Sequence, residues 1–180
     1  AIKLEFYNYA GPAPTDVALS ADTFGDDLLA EVRDAYGTHL TVGALVEQFP
    51  RAENRIRLDH SRTDDHGNPV PDVVWSIDER TRDTVRRANE IQRSILDELG
   101  AEITWTVGPE NTGPAFHHMG TTRMGTDPDD SVVTPQLRTH DLENCWLVGS
   151  SVFPTGGAMT PTLTIAALSL KAADHVLARL

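Results

Sequence analysis

A chain of 180 residues, 39% hydrophobic and 23% charged, has the composition of a soluble globular protein. It is long enough for one ordinary domain, or for a domain and part of another. Its formal charge of −12, from 27 acidic against 15 basic side chains, would be repelled by a polyanionic backbone and argues against nucleic-acid binding.

No run of about 18 apolar residues occurs, so no membrane span is expected. The longest candidate, Leu163 to Leu180, is interrupted by Lys171, Asp174, His175 and Arg179. One cysteine, Cys145, excludes an intramolecular disulfide framework and any cysteine-cluster metal site. It lies in the apolar run Cys145-Trp146-Leu147-Val148, where it reads as a buried, inert thiol. The opening AIKLEFYNYA has neither the basic start nor the apolar stretch of a signal peptide, and a cytoplasmic location is the expectation. It also lacks a starting Met, which suggests a fragment, a processed chain or a domain of something longer.

Residues 2–9 alternate apolar and polar through Ile2, Leu4 and Phe6, a strand periodicity, and GPAPTD then reads as a turn-rich break. Residues 24–36 place Phe24, Leu28, Leu29, Val32 and Ala35 at helical spacing, with Gly37 as the stop. His39 to Phe49 is a β-branched and apolar run, and Arg55 to Asp59 alternates cleanly. A loop is expected over 64–72 and a short strand over Val73 to Ile77. The surest helix runs from Glu79 to Leu99, with Asp78 as cap and Val85, Ala88, Ile91, Ile95 and Leu99 forming one stripe. Gly100 closes it, and a strand over Ile103 to Val107 follows.

Residues 1–115 thus predict a mixed or antiparallel sheet backed by helices, an α+β arrangement that by itself names no chemistry. From His117 the texture changes. His117-His118-Met119-Gly120-Thr121-Thr122-Arg123-Met124-Gly125 comes first, and a strand over Cys145 to Val148 then ends in Gly149-Ser150. Gly156-Gly157 leads into Thr160-Pro161-Thr162-Leu163 and a terminal helix. Thr160 suits the N-cap and Pro161 the first helical position, which leaves free N–H groups at Thr162 and Leu163 on the positive end of the helix dipole. With the small residues Gly149 and Ser150 this forms a platform for an anion or a cofactor, of generic type. The His117-His118 pair lacks further ligands at metal spacing, so no metal site is expected.

The series HHMGTTRMG-x-DP, NCWLVGSSVFPT and PTLTIAALSLKAADH resembles the C-terminal signature of the glucose-methanol-choline (GMC) oxidoreductases, in order and spacing over roughly 60 residues. More loosely, ENRIRLD at 53–59, HGNPVP at 66–71 and the long helix before Gly100 are similar to the substrate domain of those enzymes, and the texture resembles sugar-oxidising members. The resemblance implies two parts: residues 1–115 as a substrate-binding domain, and 116–180 as a segment completing a Rossmann-like FAD-binding domain. It implies FAD as cofactor and a sugar or other alcohol as substrate, with the carbinol hydride passing to flavin N5 and electrons leaving to oxygen, a quinone or a protein.

His117 matches the family's base, and a near-neutral imidazole suits that role. The second catalytic position, His or Asn in the family, is Thr160 here, and a helix cap and a substrate contact both remain open for it. Pro161, Thr162 and Leu163 match the segment beside the flavin ring, and Gly149 and Ser150 the strand end near the ribityl or diphosphate part. His118 and Arg123 are read as structural, Arg123 in an ion pair. No G-x-G-x-x-G occurs in the 180 residues, so an N-terminal FAD-binding segment or chain is the expected partner. A dehydrogenase of a non-sugar alcohol and a non-catalytic binding module are the alternatives.

Overall fold

The computed structural model describes residues 1–7 and 13–179. Of the strand expected over 2–9, Asn8 and Tyr9 fall outside the described residues. The rest is β1 (Ile2–Tyr7), paired antiparallel with β2 (Thr41–Val46) in a register that sets Ile2 opposite Val46 and Tyr7 opposite Thr41. Two helices lie between these strands in sequence. The first, α1 (Pro14–Ser20), falls where a turn-rich break is expected, because Pro14 opens it with a preset φ and the Asp16 carboxylate accepts the Ala13 N–H at 3.1 Å. The second, α2 (Asp26–Ala35), starts later than the apolar spacing suggests: Gly25 takes a positive φ of 68° at its entry and leaves Phe24 outside and exposed.

A hairpin follows, with β3 (Arg55–Thr63) antiparallel to β4 (Pro69–Val74). The loop expected over 64–72 is therefore only 64–68, where Asp64 accepts the N–H groups of His66 at 2.9 Å and Asn68 at 2.8 Å. Prolines at 69 and 71 are tolerated within β4 because each strand of a two-stranded ribbon is an edge, where a missing N–H need not break the ladder. The strand stops before Trp75 because side-chain amides take over the pairing. Asn54 Oδ1 accepts the Ser76 N–H at 3.0 Å, and Asn54 Nδ2 and Gln48 Nε2 donate to the Ser76 carbonyl at 2.9 and 2.8 Å.

The longest helix, α3 (Glu79–Glu98), forms as its sequence predicts. Asp78 accepts the Thr81 N–H at 2.8 Å and the Thr81 hydroxyl at 2.6 Å, Val85 and Ala88 are buried, and Gly100 takes φ 65° past the end. Gln92 Nε2 donates to the Val42 carbonyl at 2.6 Å and ties α3 to β2.

The strands expected at Ile103 to Val107 and Cys145 to Val148 do not form. Extended backbone becomes a strand only beside a neighbour that continues the ladder, and neither segment has one long enough among the described residues. The first is fastened by Asn89 Nδ2 to the Val107 carbonyl at 3.1 Å, and the second makes only an isolated bridge between Trp146 and Arg138. The terminal helix α4 spans Thr162–Leu177.

The architecture is mixed α and β with two separate two-stranded antiparallel sheets. No parallel ladder of the kind a Rossmann-like domain requires forms among the described residues. No helix among them is long and apolar enough to cross a membrane. The densest core lies in the last third, where Val133, Leu137, Val152 and Ala172 are buried together with Met124, Leu147, Phe153 and Leu168 packed around them. Cys145 is half-buried beside it.

Removing the α3 cap gives a local test. In the full-length protein, Asp78→Ala should speed hydrogen exchange of the first-turn α3 amides roughly fivefold, the equivalent of about 1 kcal/mol for a lost N-cap.

Candidate functional site

The geometry of the motif region follows from one set of backbone bonds. Gly120, Thr122 and Met124 donate their N–H groups to the carbonyls of Ser150, Ser151 and Val152, at 3.3, 2.9 and 2.8 Å. The Thr122 hydroxyl reinforces this at 2.8 Å from the Ser151 hydroxyl. The strand end expected at Gly149-Ser150 is instead a 3-10 turn over Ser150–Val152, entered through Gly149 at φ 111°. The bonds clamp the histidine motif against that turn. Gly120 is required at the crossing: its φ is 85°, and a Cβ there would stand 3.2 Å from the Phe153 carbonyl oxygen.

A second contact carries the arrangement toward α4. A Cβ on Gly156 would lie 2.6 Å from Met119 Cε, so the Met119 side chain rests against the Gly156-Gly157 turn that leads into the helix. Met119 and the Thr122–Ser151 pair have no place in the sequence reading. The only signal for Met119 is the Gly-Gly pair, which leaves room for a neighbour without naming it. Arg123 pairs with Asp130 at 2.6 Å, the structural ion pair expected for it. Val132 N–H bonds the Arg123 carbonyl at 2.9 Å, and the Ser131 hydroxyl lies 2.8 Å from His140 Nε2, closing the loop beneath.

His117 is half-buried and His118 exposed, so the two adjacent rings are in different environments. No hydrogen bond among the described residues engages the His117 side chain, which leaves both ring nitrogens open. Thr160 requires a correction. The N-cap of α4 is Pro161 and the first helical residue is Thr162, so Thr160 stands one residue too early to cap. Pro161 has φ −86° and ψ −3°, already close to helical, and its carbonyl accepts the first intrahelical bond from Ile165 at 3.0 Å. Thr160 is exposed, with no hydrogen bond among the described residues to its hydroxyl, and none joins it to His117.

Because no side chain caps α4, the N–H groups of Thr162, Leu163 and Thr164 have no intrahelical acceptor. Leu163 is 84% exposed. Gly149 faces open space, with no heavy atom within 4 Å of the position a Cβ would take. The structure thus joins the His117 motif to Gly149-Ser150 by hydrogen bonds and to the α4 entry by the Met119 contact, and it leaves Thr160 and Leu163 facing outward.

The chain is similar to known proteins over most of its length. The family model for GMC oxidoreductase, in its C-terminal part, matches residues 50–169, and the chain belongs to that family. It is 36% identical over 141 residues to a 2-methyl-1,2-propanediol dehydrogenase of Mycolicibacterium austroafricanum, covering 78% of this chain and 26% of that protein. It is 38% identical over 165 residues to a fructose dehydrogenase large subunit of Gluconobacter japonicus, covering 89% and 29%. Among solved structures, pyridoxine 4-oxidase from Mesorbium loti superposes with a TM-score of 0.54 at 25% identity, over 76% of this chain and 29% of that one. The chain therefore spans little more than a quarter of the length of these relatives.

The two glycine contacts should separate in a thermal-denaturation comparison. Gly120→Ala forces a positive φ on a residue with a Cβ against fixed backbone, and should cost about 1–2 kcal/mol. Gly156→Ala meets only the flexible end of Met119, and should cost well under half of that.

Proposed function

We propose that this chain is the C-terminal portion of an FAD-dependent oxidoreductase that oxidises a hydroxyl of a sugar or glycoside to a carbonyl. The observation that carries the reading is the clamp of the His117 motif onto the Gly149-Ser150 turn, beside an α4 entry with uncapped N–H groups. His117 is the general base: it is half-buried, its nitrogens are unengaged, and an imidazole is matched to proton abstraction near neutral pH. Thr160, freed from capping, offers its hydroxyl as donor or acceptor to a substrate oxygen.

The residues present fit a flavin. The free N–H groups of Thr162 and Leu163, next to Pro161, aim the positive end of a 16-residue helix at whatever approaches, which favours an anionic ring edge. Gly149 and Ser150 leave a side-chain-free approach for the extended part of such a cofactor. FAD, when bound, would supply the hydride acceptor at N5. His117 would hold the hydroxyl proton as the carbonyl forms, and Thr160 would fix the substrate oxygen.

The cradle for the dinucleotide is the task of an N-terminal FAD-binding segment or chain, and the exposed face of α4 supports this. Leu163, Leu170 and Leu177 recur every seven residues at 84%, 71% and 68% exposure. Covering each leucine is worth roughly 1.5–3 kcal/mol. With that segment, 116–180 would complete a Rossmann-like domain and 1–115 would serve as the substrate-binding domain.

The similarity to fructose dehydrogenase favours a sugar. The similarity to a diol dehydrogenase keeps a second reading alive, in which the substrate is a non-sugar alcohol and the acceptor a quinone or protein rather than oxygen.

In the full-length enzyme, His117→Ala should slow flavin reduction by substrate ~10²–10⁴-fold while leaving the flavin spectrum unchanged. Anaerobic stopped-flow bleaching of the flavin at a near-normal rate would remove His117 from the mechanism. A panel of sugars and simple alcohols, followed with and without oxygen, assigns substrate class and acceptor. The 180-residue chain expressed alone should be colourless after purification, and a yellow product with tightly held flavin would overturn the need for the N-terminal partner.

A further inference from the structure

The loop that follows the histidine motif doubles back on itself beside the far end of α4. Thr139 donates its N–H to the Cys145 carbonyl and Leu147 to the Leu137 carbonyl, both at 2.9 Å, so Arg138 and Trp146 face each other as an isolated antiparallel pair. Bonds on either side of such a pair, and none within it, bring its two side chains close together. Lys171 Nζ donates to the Pro135 carbonyl at 2.6 Å and fastens this loop to the helix. His175 follows one turn on, and Arg179 stands just past the helix end.

These elements enclose a cleft of about 120 Å³ lined by Thr134, Gln136, Arg138, Trp146, His175 and Arg179. The lining carries two guanidiniums, an imidazole, an amide and a hydroxyl, and no carboxylate. Arg179 Cζ stands 5.8 Å from the centre of the Trp146 ring, which holds it over an aromatic floor. Among the described residues, neither Arg138 nor Arg179 has an ion pair or a side-chain hydrogen bond. Asp174, next to His175 in sequence, is exposed and does not line the cleft.

Cations at a helix C-terminus complement its dipole, which accounts for His175 and Arg179 but not for Arg138, which comes from the loop. Two guanidiniums in one small cleft repel each other, and a chain with 27 acids against 15 bases places no carboxylate between them.

We propose that this cleft is a seat for a single phosphoryl group. A guanidinium fork grips two oxygens of a phosphate at once, so two forks suit its tetrahedron, while a carboxylate would occupy only one. His175, Gln136 and Thr134 add further donors around the rim. Drug-sized ligands fill roughly 300–1,000 Å³, so the cleft takes the phosphoryl head and leaves any organic part outside. The seat stands apart from the proposed flavin site, because His175 lies about 20 Å along the α4 axis from Thr162. The inference does not depend on the role of His117.

The test is a calorimetric titration of the full-length, flavin-loaded protein with inorganic phosphate, against sodium chloride of equal ionic strength. Phosphate should bind with a Kd on the order of 1 mM or tighter, and chloride should give no heat beyond dilution. Arg138→Met and Arg179→Met should each weaken phosphate binding at least ~10-fold, and Arg138→Lys should recover part of the loss. Gln136→Glu sets a carboxylate at the cleft, so it should abolish the phosphate response and raise the thermal midpoint in phosphate-free buffer. That opposite sign separates lost binding from lost folding. Glycerol phosphate distinguishes the sources of the group: equal affinity points to the free ion, and tighter binding to a phosphorylated organic ligand.

Acetate binding as tightly as phosphate would make the cleft a carboxylate seat and overturn the proposal. So would a wild type that binds no phosphate, or an Arg138→Met variant that keeps full phosphate affinity. Loss of flavin from Arg138→Met at an unchanged thermal midpoint would assign the cleft to the cofactor and overturn it as well.

Discussion

The clamp between residues 120–124 and 150–152 is the constraint on which the rest of the last third depends. Three backbone bonds hold two irregular segments side by side, and neither segment belongs to a regular element long enough to hold itself. What fixes the clamp is the apolar cluster beneath it. Val152 sits on the turn, Val133 and Leu137 come from the loop that follows the motif, and Ala172 comes from α4, all with at most 4% exposure. Leu137 adopts φ 67°, a conformation that costs a residue with a side chain about 1–2 kcal/mol. Burying that side chain completely, with its N–H bonded to Thr134 and its carbonyl to Leu147, offsets the cost. The loop is thus wound into shape by its core contacts.

That winding sets what α4 can offer. Ala172 is buried on the cluster side, and the leucines at 163, 170 and 177 point away from it. One face of the helix thus packs on its own core while leucines line the opposite, exposed face. The first turn is likewise open: with no side-chain cap, its free N–H groups are satisfied by water.

Legibility in the sequence divided along the same physical line. Helix α3 was readable almost to the residue, because its cap, its stripe and its closing glycine are all local signals. The ion pair of Arg123 was likewise foreseeable. The hairpin β3–β4 was half readable: the alternation of β3 stands out, but Pro69 and Pro71 argue against a strand, and only the knowledge that β4 is an edge removes the objection. Ile103 to Val107 and Cys145 to Val148 show the reverse error. Their residues favour extended backbone, while a ladder depends on a neighbour that no local pattern reports. Thr160 lost the cap because Pro161, at φ −86° and ψ −3°, itself takes the cap position and the first helical residue moves to Thr162. For the candidate site, the motif names His117 and the glycines from local sequence alone. The Met119 contact was beyond reach, because it joins segments remote in sequence, and no periodicity encodes such a meeting.

With 27 acids against 15 bases, the chain has more carboxylates than cations to pair with them, and an exposed carboxylate needs no partner. Glu5 is different in kind: it is shared between an ammonium and a phenol and set opposite a glycine. An exposed pair of this sort contributes little to stability, since solvent screens it and two long side chains lose freedom. The β1–β2 register and the Tyr7 ring lying over Gly43, rather than the ion pair, therefore hold this face in place.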